Sequence, residues 1–367
     1  MNKIMKKIKL FEPQFDQNEE KAISRVLKSK FWASGSGNGN VLKFENNFNE
    51  YLHSRYCVSV NNGTSALQIA LNLFDIEKSE VIVPSLSFVS TANAALYNKA
   101  KPVFVDVDPQ TLCIDPEKII KSITKKTKIV LPVHFGGFSS NLKEIQKICE
   151  EHNLILVEDA AHAAGTKYRG KNIGTHGSAV CFSFHPVKNL SMPGGGAISF
   201  NGKNAKKNLE QSKILRWCGI TNRIDGKYDI SDLGFNAYLN EFSASIGIEQ
   251  LKKLDKMNSK RKKIAKIYSK EINIEEKMPY DDDCSYHLYW LKIKNRDNFR
   301  RQLQQKGIET GIHYLPIHKM SFFNDSKKLP ITEQAGKTLV SLPMHPNLSD
   351  SEIDFIIKTT NNNLISL

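Results

Sequence analysis

One lysine of this chain lies in surroundings that favour covalent chemistry. Lys188 follows the apolar run 179–184 and a proline turn, and the glycines at 194–196 come shortly after it. Most lysines are solvated surface residues, but almost every residue around this one is uncharged. A lysine enclosed by apolar and small residues has a depressed pKa and can form an imine with a carbonyl compound. The segment therefore marks Lys188 as a candidate nucleophile.

An acidic residue follows an earlier apolar run. Residues 154–157 predict a strand, and Glu158 and Asp159 come directly after it. Ligand-contacting groups of open α/β sheets lie at the carboxyl ends of parallel strands, so Asp159 could anchor a metal, bind a ribose or hold a protonated pyridine nitrogen. His162 could face the same ligand. The alternative is that Asp159 caps a helix and His162 is an ordinary surface histidine.

A third segment has the composition of a phosphate site. Residues 58–60 end a predicted strand, and Gly63, Thr64 and Ser65 begin a predicted helix. Unpaired N–H groups at a helix start, with hydroxyl side chains and the helix dipole, bind phosphate. Thr and Ser are also ordinary helix caps, so this segment alone does not decide between a ligand site and a cap.

The three segments together match the requirements of pyridoxal 5′-phosphate (PLP). The lysine forms a Schiff base, the carboxylate keeps the pyridine nitrogen protonated, and the helix start holds the phosphate. No metal site is expected.

The elements that position these residues alternate between strands and helices. A capping box at 16–19 predicts a first helix ending near Lys28, and a second is expected over about 42–53. Seven strands are predicted at 57–60, 81–84, 103–107, 129–133, 154–157, 179–184 and 197–200. Amphipathic segments between most of them indicate a mostly parallel sheet covered on both faces, an α/β architecture. We expect a large domain over 1–250 that includes the N-terminal helical segment, and a smaller α+β domain over 251–367.

Composition sets the broad class. The 367 residues suggest two domains, and the 52 Lys and Arg against 38 Asp and Glu give a net charge of +14. That charge favours anionic partners, although a lysine-rich surface explains it as well, and neither nucleic acid nor membrane is an expected partner. Six scattered cysteines without a C-x-x-C pair indicate a reducing, cytoplasmic location.

The ordered motifs resemble the DegT/DnrJ/EryC1/StrS family of PLP-dependent sugar aminotransferases, which have fold type I. The resemblance covers nearly the whole chain, and its matching segments include 81–94, 100–108, 127–134, 234–236, 313–318 and 341–343. It implies the aspartate aminotransferase-like fold, with a seven-stranded sheet in the large domain and a smaller C-terminal domain.

The resemblance also implies a role for each matching residue. Lys188 would form the Schiff base and carry protons, and Asp159 would pair with the pyridine nitrogen. The implied phosphate contacts are Gly63, Thr64, Ser65 and Ser183. Phe88 would stack on the ring, His162 would contact the ring hydroxyl, and Asn236 would reach the phosphate of the partner protomer, which makes the active site a property of a homodimer.

Contacts to the sugar nucleotide are implied less directly, for Trp32, Tyr314 and His318. Two positions depart from the family pattern. Many members have Arg where this chain has Tyr238, and an acid where it has Gly194. Both departures concern substrate contacts and leave the Schiff-base chemistry intact.

The leading hypothesis is an aminotransferase that moves an amino group from an amino acid, L-glutamate in most of the family, to a 3- or 4-keto-deoxysugar on a nucleotide. The product would enter bacterial surface glycans, such as lipopolysaccharide, or a related amino-sugar pathway. The alternatives are a keto-sugar without a nucleotide and a PLP-dependent sugar dehydratase. Dehydratase relatives replace the lysine with histidine, so Lys188 argues against the second alternative.

Overall fold

The structure is a computed structural model that describes residues 7–33 and 35–364. Its centre is one sheet of seven strands in the order β1-β9-β8-β5-β4-β2-β3. The strands are β1 (Tyr56–Val60), β2 (Glu80–Pro84), β3 (Lys101–Val105), β4 (Thr127–Val130), β5 (Ile155–Asp159), β8 (Ala179–Ser183) and β9 (Gly196–Phe200). All seven predicted strands are present, so the expected α/β class is confirmed.

Within this sheet β9 alone runs antiparallel to its neighbours, β1 and β8. The other pairs are parallel. The carboxyl ends of β1, β2, β4, β5 and β8 therefore meet at one edge, together with the start of β9. Every segment that the sequence marked for chemistry follows one of these strand ends.

Helices connect and cover the strands. Those up to residue 215 are α1 (Gln17–Ser29), α2 (Asn40–Leu52), α3 (Gly63–Asn72), α4 (Ser90–Tyr97), α5 (Pro116–Ile120), α6 (Leu142–Glu151) and α7 (Ala205–Leu215). The capping box predicted for α1 is present: Asp16 accepts from Asn18 N–H, and Glu19 accepts from Asp16 N–H. Two short hairpins, β6 (Lys167–Tyr168) with β7 (Lys171–Asn172) and β10 (Ile220–Ile224) with β11 (Lys227–Ile230), lie outside the main sheet.

Both faces of the sheet are buried, as the near-continuous apolar strands predict. Ile82 of β2 belongs to one apolar cluster, whereas its neighbours Val81 and Val83 belong to another on the opposite face. Along β8, Val180 and Cys181 divide between the same two clusters. The strands thus form the middle layer of three.

The C-terminal part is smaller and has its own apolar cluster. It contains β12 (Trp290–Lys292), α9 (Arg296–Gln305), α10 (Pro330–Thr338), β13 (Leu339–Ser341) and α11 (Asp350–Leu364), and α8 (Glu241–Glu271) leads into it. The boundary at residue 250 falls inside α8, and the division into 1–250 and 251–367 stays a prediction. Among the described residues, no helix has an apolar stretch of membrane-spanning length.

Candidate active site

Lys188 lies in the turn between β8 and β9, at the carboxyl edge of the sheet. The turn is closed by hydrogen bonds from Lys188 N–H to the His185 carbonyl (2.8 Å) and from Ser191 Oγ to the Lys188 carbonyl (2.6 Å). The side chain is half-buried. Burial lowers the pKa of the Lys188 amine from 10.5 to about 8, and the negative charge of Asp159 opposes that shift. An amine with this pKa is partly uncharged near neutral pH, as a nucleophile requires.

Asp159 is the last residue of β5, adjacent to β8 in the sheet, and is buried. Burial raises the pKa of its carboxyl group, and donated hydrogen bonds and the charge of Lys188 oppose this. Oδ1 accepts from the Ala161 N–H at 3.1 Å, and Oδ2 accepts from Thr91 Oγ1 at 2.8 Å. The sequence reasoning missed Thr91, because a threonine inside a helix carries no distinctive signal.

The predicted phosphate segment is the start of α3. Asn62 caps this helix, its Oδ1 accepting from the Ser65 N–H at 2.8 Å. Gly63 faces Ser183, the last residue of β8: a Cβ added to Gly63 would lie 2.7 Å from the Ser183 Cβ. A glycine is needed because these two backbones approach so closely. The Thr64 hydroxyl lies 2.7 Å from the Ser90 hydroxyl at the start of α4.

His162 and Tyr314 form a second wall beside Lys188. His162 Nδ1 accepts from the Gly136 N–H at 3.2 Å, so the neutral ring carries its proton on Nε2 and donates it to Tyr314 Oη at 3.1 Å. Burial and the charge of Lys188 hold the pKa of His162 well below its ordinary value. Burial and the charge of Asp159 raise the pKa of Tyr314. Both side chains therefore meet a ligand uncharged.

Two further histidines, which the sequence reasoning missed, complete this wall. The His287 ring lies 4.4 Å from that of His162 and stacks on Phe11, and its buried Nδ1 has no hydrogen-bond partner among the described residues. His313 Nδ1 lies 2.9 Å from Ser341 Oγ. Burial and the charge of Lys188 lower the pKa of both rings, that of His313 to about 4.

Phe88 and Asn236 lie at the border of the site. The Phe88 ring is exposed, with its centroid 6.2 Å from that of Tyr314. Asn236 follows the β10–β11 hairpin, its side chain is exposed, and its carbonyl accepts from Asn61 Nδ2 at 3.4 Å, next to the start of α3. The structure thus places Phe88 beside Tyr314 and Asn236 beside the start of α3 in the same protomer.

The three residues that were weaker candidates for substrate contacts differ in their surroundings. Tyr314 faces the site, as described above. His318 is fully buried and has a partner at each ring nitrogen: Nδ1 lies 2.6 Å from Ser85 Oγ and Nε2 lies 3.3 Å from a carboxylate oxygen of Glu333. It therefore has no free ring nitrogen for a sugar, and we do not retain it as a substrate contact. Trp32 is half-exposed and packs on Phe242, and its Nε1–H donates to the Leu27 carbonyl at 3.4 Å.

The two departures from the family pattern are both accommodated. Gly194 has open space around it, since an added Cβ would meet only the Asn61 carbonyl oxygen at 3.5 Å. Position 194 therefore has room for a side chain, and steric crowding does not explain why this chain has glycine there instead of an acidic residue. Tyr238 is half-buried and lies close to the start of α8.

The arrangement fits PLP. It offers an amine, a buried carboxylate and a hydroxyl-lined helix start at one sheet edge, and the close approach of Gly63 to Ser183 brings the ends of β1 and β8 together beside them. No cluster of metal-ligating side chains occurs within the described part of the chain. A seven-stranded, mostly parallel sheet with these groups at its carboxyl edge defines a PLP-dependent transferase of fold type I.

Comparison with known proteins identifies the family. The chain belongs to the DegT/DnrJ/EryC1/StrS aminotransferase family, whose model matches residues 13–361. It is 33% identical over 365 residues to GDP-perosamine synthase of Escherichia coli O157:H7, covering 97% of this chain and 98% of the relative. The family resemblance expected from the motifs is thereby confirmed.

Solved structures of aminotransferases support the same family assignment. PseC of Helicobacter pylori, an aminotransferase involved in the biosynthesis of pseudoaminic acid, superposes with a TM-score of 0.93 at 28% identity, over 99% of this chain and 100% of that one. DesV of S. venezuelae, determined in complex with a ketimine intermediate, gives a TM-score of 0.88 at 31% identity, over 95% and 94% of the two chains. This protein is therefore a sugar aminotransferase that uses PLP, an amino donor and a keto-sugar.

Proposed function

We propose that this enzyme transfers the amino group of L-glutamate to a nucleotide-linked keto-sugar, at a PLP site built on Lys188 and Asp159. The observation that carries the proposal is that Lys188, in the turn after β8, and the buried Asp159, at the end of the adjacent strand β5, lie at the same sheet edge as the hydroxyl-containing start of α3. The product serves bacterial surface-glycan or related amino-sugar biosynthesis. A 3-keto and a 4-keto deoxysugar both remain candidate acceptors.

Each part of the cofactor has residues that fit it. Asp159 accepts a hydrogen bond from the ring nitrogen, and His162 lies where it can contact the ring hydroxyl. The N–H groups at the start of α3 bind the phosphate, together with the hydroxyl groups of Thr64, Ser65 and Ser183. Phe88 covers one ring face. When bound, PLP supplies an electron sink that stabilises negative charge developing at the carbon of the donor.

Lys188 has two tasks in this proposal. Its uncharged amine attaches the cofactor, and once a substrate amine displaces it, the free Nζ takes a proton from one carbon and returns it to another. A pKa of about 8 suits both tasks, because proton transfer is most efficient when the pKa of the group lies near the working pH. The lowered pKa values of His162 and His287 make both rings weaker bases than the Lys188 amine.

Two observations favour a nucleotide-linked acceptor. The name of the relative from E. coli includes a guanosine diphosphate group, and that relative aligns with nearly all of this chain. The net charge of +14 favours a substrate that carries a diphosphate. A keto-sugar without a nucleotide stays the alternative, and a comparison of matched acceptors with and without the nucleotide separates the two.

We propose a homodimer in which Asn236 contacts the phosphate of the partner's cofactor. The hairpin β10–β11, just before Asn236, is almost entirely exposed, including the large apolar side chains of Ile224, Tyr228 and Ile230, and Leu233, which follows the hairpin, is exposed as well. An isolated two-stranded hairpin has marginal stability in water. A second protomer would cover these side chains and bring Asn236 to its site.

We place the reaction in the cytoplasm. All six cysteines carry free thiols, and five of them are buried. A reducing compartment keeps such thiols free.

The first experiment is an absorbance spectrum of the PLP-loaded enzyme before and after addition of L-glutamate without a sugar. We expect the band of bound PLP to convert to that of the pyridoxamine form, and Lys188→Ala to abolish the conversion. The exposed lysine variant Lys203→Ala serves as the matched control and should behave like wild type. A loaded wild-type enzyme that does not respond to L-glutamate would contradict the proposed donor.

The acceptor is then tested with the pyridoxamine form. Keto-sugar nucleotides should restore the PLP band, and the same keto-sugars without the nucleotide should restore it much more slowly. Equal rates for both forms would favour the unlinked acceptor. Release of water from the sugar without amino transfer would indicate a dehydratase.

A further inference from the structure

Two adjacent hydroxyl residues begin α4, and each holds a different part of the active site. Ser90 Oγ lies 2.7 Å from Thr64 Oγ1, on the phosphate side. Thr91 Oγ1 donates to Asp159 Oδ2 at 2.8 Å, on the ring-nitrogen side. Because both belong to the first turn of one helix, a single rigid element is bonded to both ends of the site.

The direction of the bonds on the Asp159 side follows from counting protons. A threonine hydroxyl has one proton, and that of Thr91 goes to the carboxylate. Ser87 Oγ lies 2.7 Å from Thr91 Oγ1, so Ser87 must be the donor in that bond. The result is a directed chain from Ser87 to Thr91 to Asp159, and all three residues are buried.

This chain of hydrogen bonds opposes the rise that burial causes in the pKa of Asp159. Burial favours the neutral carboxylic acid, whereas the hydrogen bond donated by Thr91 favours the carboxylate. A carboxylate can accept a hydrogen bond from a protonated ring nitrogen on its remaining lone pairs. On the other side, the Ser90 hydroxyl fixes the rotation of the Thr64 hydroxyl, because the two share one proton in a partly buried contact.

We propose that α4, with Ser87 just before it, positions the cofactor from both ends: Ser87 and Thr91 hold Asp159 ready for the ring nitrogen, and Ser90 orients Thr64 toward the phosphate. This inference rests on the proposed function. The three hydroxyl residues are positioning residues, since they act through Asp159 and Thr64. Each end can therefore be disabled without touching a residue that contacts the cofactor.

The experiment measures equilibrium binding of three non-covalent ligands to the full-length, cofactor-free protein. Pyridoxamine phosphate has both the ring nitrogen and the phosphate. Its 1-deaza analogue has carbon in place of the ring nitrogen, and pyridoxamine lacks the phosphate. None of the three can form an imine with Lys188, so the affinities report only the contacts at the two ends.

The two variants should separate the two ends. Thr91→Val should weaken the binding of pyridoxamine phosphate and of pyridoxamine by about tenfold, which is a typical loss when a hydrogen bond to a charged group is weakened. The affinity for the 1-deaza analogue should stay within about twofold of the wild-type value. Ser90→Ala should weaken the binding of both phosphorylated ligands by about threefold to tenfold and leave the affinity for pyridoxamine unchanged. Ser87→Ala should resemble Thr91→Val with a smaller effect.

Two controls address folding. Thr91→Ser keeps the hydroxyl and should restore wild-type affinities, while Thr338→Val removes a buried hydroxyl that donates only to the Gln334 carbonyl inside α10 and should change none of them. If Thr91→Val does not fold, the Ser87→Ala and Ser90→Ala pair gives the same comparison.

The outcomes distinguish this inference from the proposed function. If wild-type protein binds no pyridoxamine phosphate, the proposed function itself is wrong. If wild type binds it but Thr91→Val weakens the 1-deaza analogue as much as the parent ligand, the role assigned to Thr91 is wrong. A loss of pyridoxamine affinity in Ser90→Ala would overturn the division between the two ends.

Discussion

At the residue scale, the site combines one carboxylate with several groups that burial keeps uncharged. Burial lowers the pKa of the three histidines His162, His287 and His313, which are therefore neutral at neutral pH, whereas the Lys188 amine, with a pKa of about 8, is still mostly protonated there. A histidine with a positive charge here would repel the protonated ring nitrogen and compete for Asp159. The neutral wall therefore reserves the negative charge of Asp159 for the cofactor.

The lowered pKa of Lys188 predicts how the stability of the cofactor-free protein depends on pH. Below pH 8 the amine is protonated in both folded and unfolded states, and the folded state bears the full cost of a buried charge. Between about pH 8 and 10.5 the unfolded state binds more protons, so the stability contributed by this group rises with pH. Lys188→Met should thus be more stable than wild type at neutral pH, and the difference should shrink above pH 8.

Urea unfolding of both proteins at a series of pH values measures this difference. Lys203→Met, at an exposed position, should show no such difference at any pH. A stability gain in Lys188→Met that is the same at neutral pH and above pH 10 would show that packing, and not charge, is its cause.

Lys188 and Asp159 could be predicted because the chemistry demands those residue types after strand ends. Ser87, Ser90 and Thr91 could not. Serine and threonine are common, and their importance depends on which hydroxyl the fold brings within 3 Å of which partner. The same holds for His287, whose neighbour His162 is far away in sequence.

At the element scale, the start of α3 has two tasks that can conflict. Asn62 caps the helix through Oδ1, and the same turn is the proposed phosphate site. Aspartate is as good a cap as asparagine and interacts favourably with the helix dipole. Its charge, however, would repel a bound phosphate. The neutral asparagine satisfies both tasks.

Substitutions of Asn62 should separate the two tasks. Asn62→Ala should lower the free energy of unfolding by about 1 kcal/mol through loss of the cap. Asn62→Asp should retain the wild-type stability but bind pyridoxamine phosphate more weakly, with the loss reduced at high salt. Thermal unfolding and ligand titration check the two effects. Unchanged phosphate affinity in Asn62→Asp would place the phosphate away from this helix.

The sequence predicted the elements better than their lengths. The domain boundary predicted at residue 250 falls inside the long helix α8, which begins at Glu241, where Asn240 Oδ1 accepts from the Ser243 N–H. Residues 241–250 contain serine and glycine, which lower intrinsic helix propensity. Burial of this segment against α1 and α2 stabilises the helix anyway, and no local pattern reveals that contact.

At the scale of the whole molecule, the described chain presents an apolar surface that one protomer leaves uncovered. The exposed side chains of the β10–β11 hairpin lie a few residues before Asn236. The sequence alone could suggest a dimer only through the family resemblance, because exposure is a property of the folded chain.

Mixing two inactive variants tests the shared site. In a heterodimer of Lys188→Ala with Asn236→Ala, one of the two sites has both an intact lysine and an intact asparagine from the partner. Random exchange should restore up to about one quarter of wild-type activity, since half of the dimers then have one complete site. Failure to regain activity after verified subunit exchange would show that Asn236 serves its own protomer.

The reversed strand β9 has a consequence for the order of folding. In the sheet β1 pairs with β9 and no other strand, and the paired residues, such as Tyr56 and Phe200, are far apart along the chain. A ribosome adds about 5–20 residues per second, so β1 waits on the order of ten seconds for its partner to emerge. Until then its edge is open to pairing with other nascent chains. The start of α3 is therefore made before the other segments of the site, but β1, which leads into it, can join the sheet only after residue 200 has emerged.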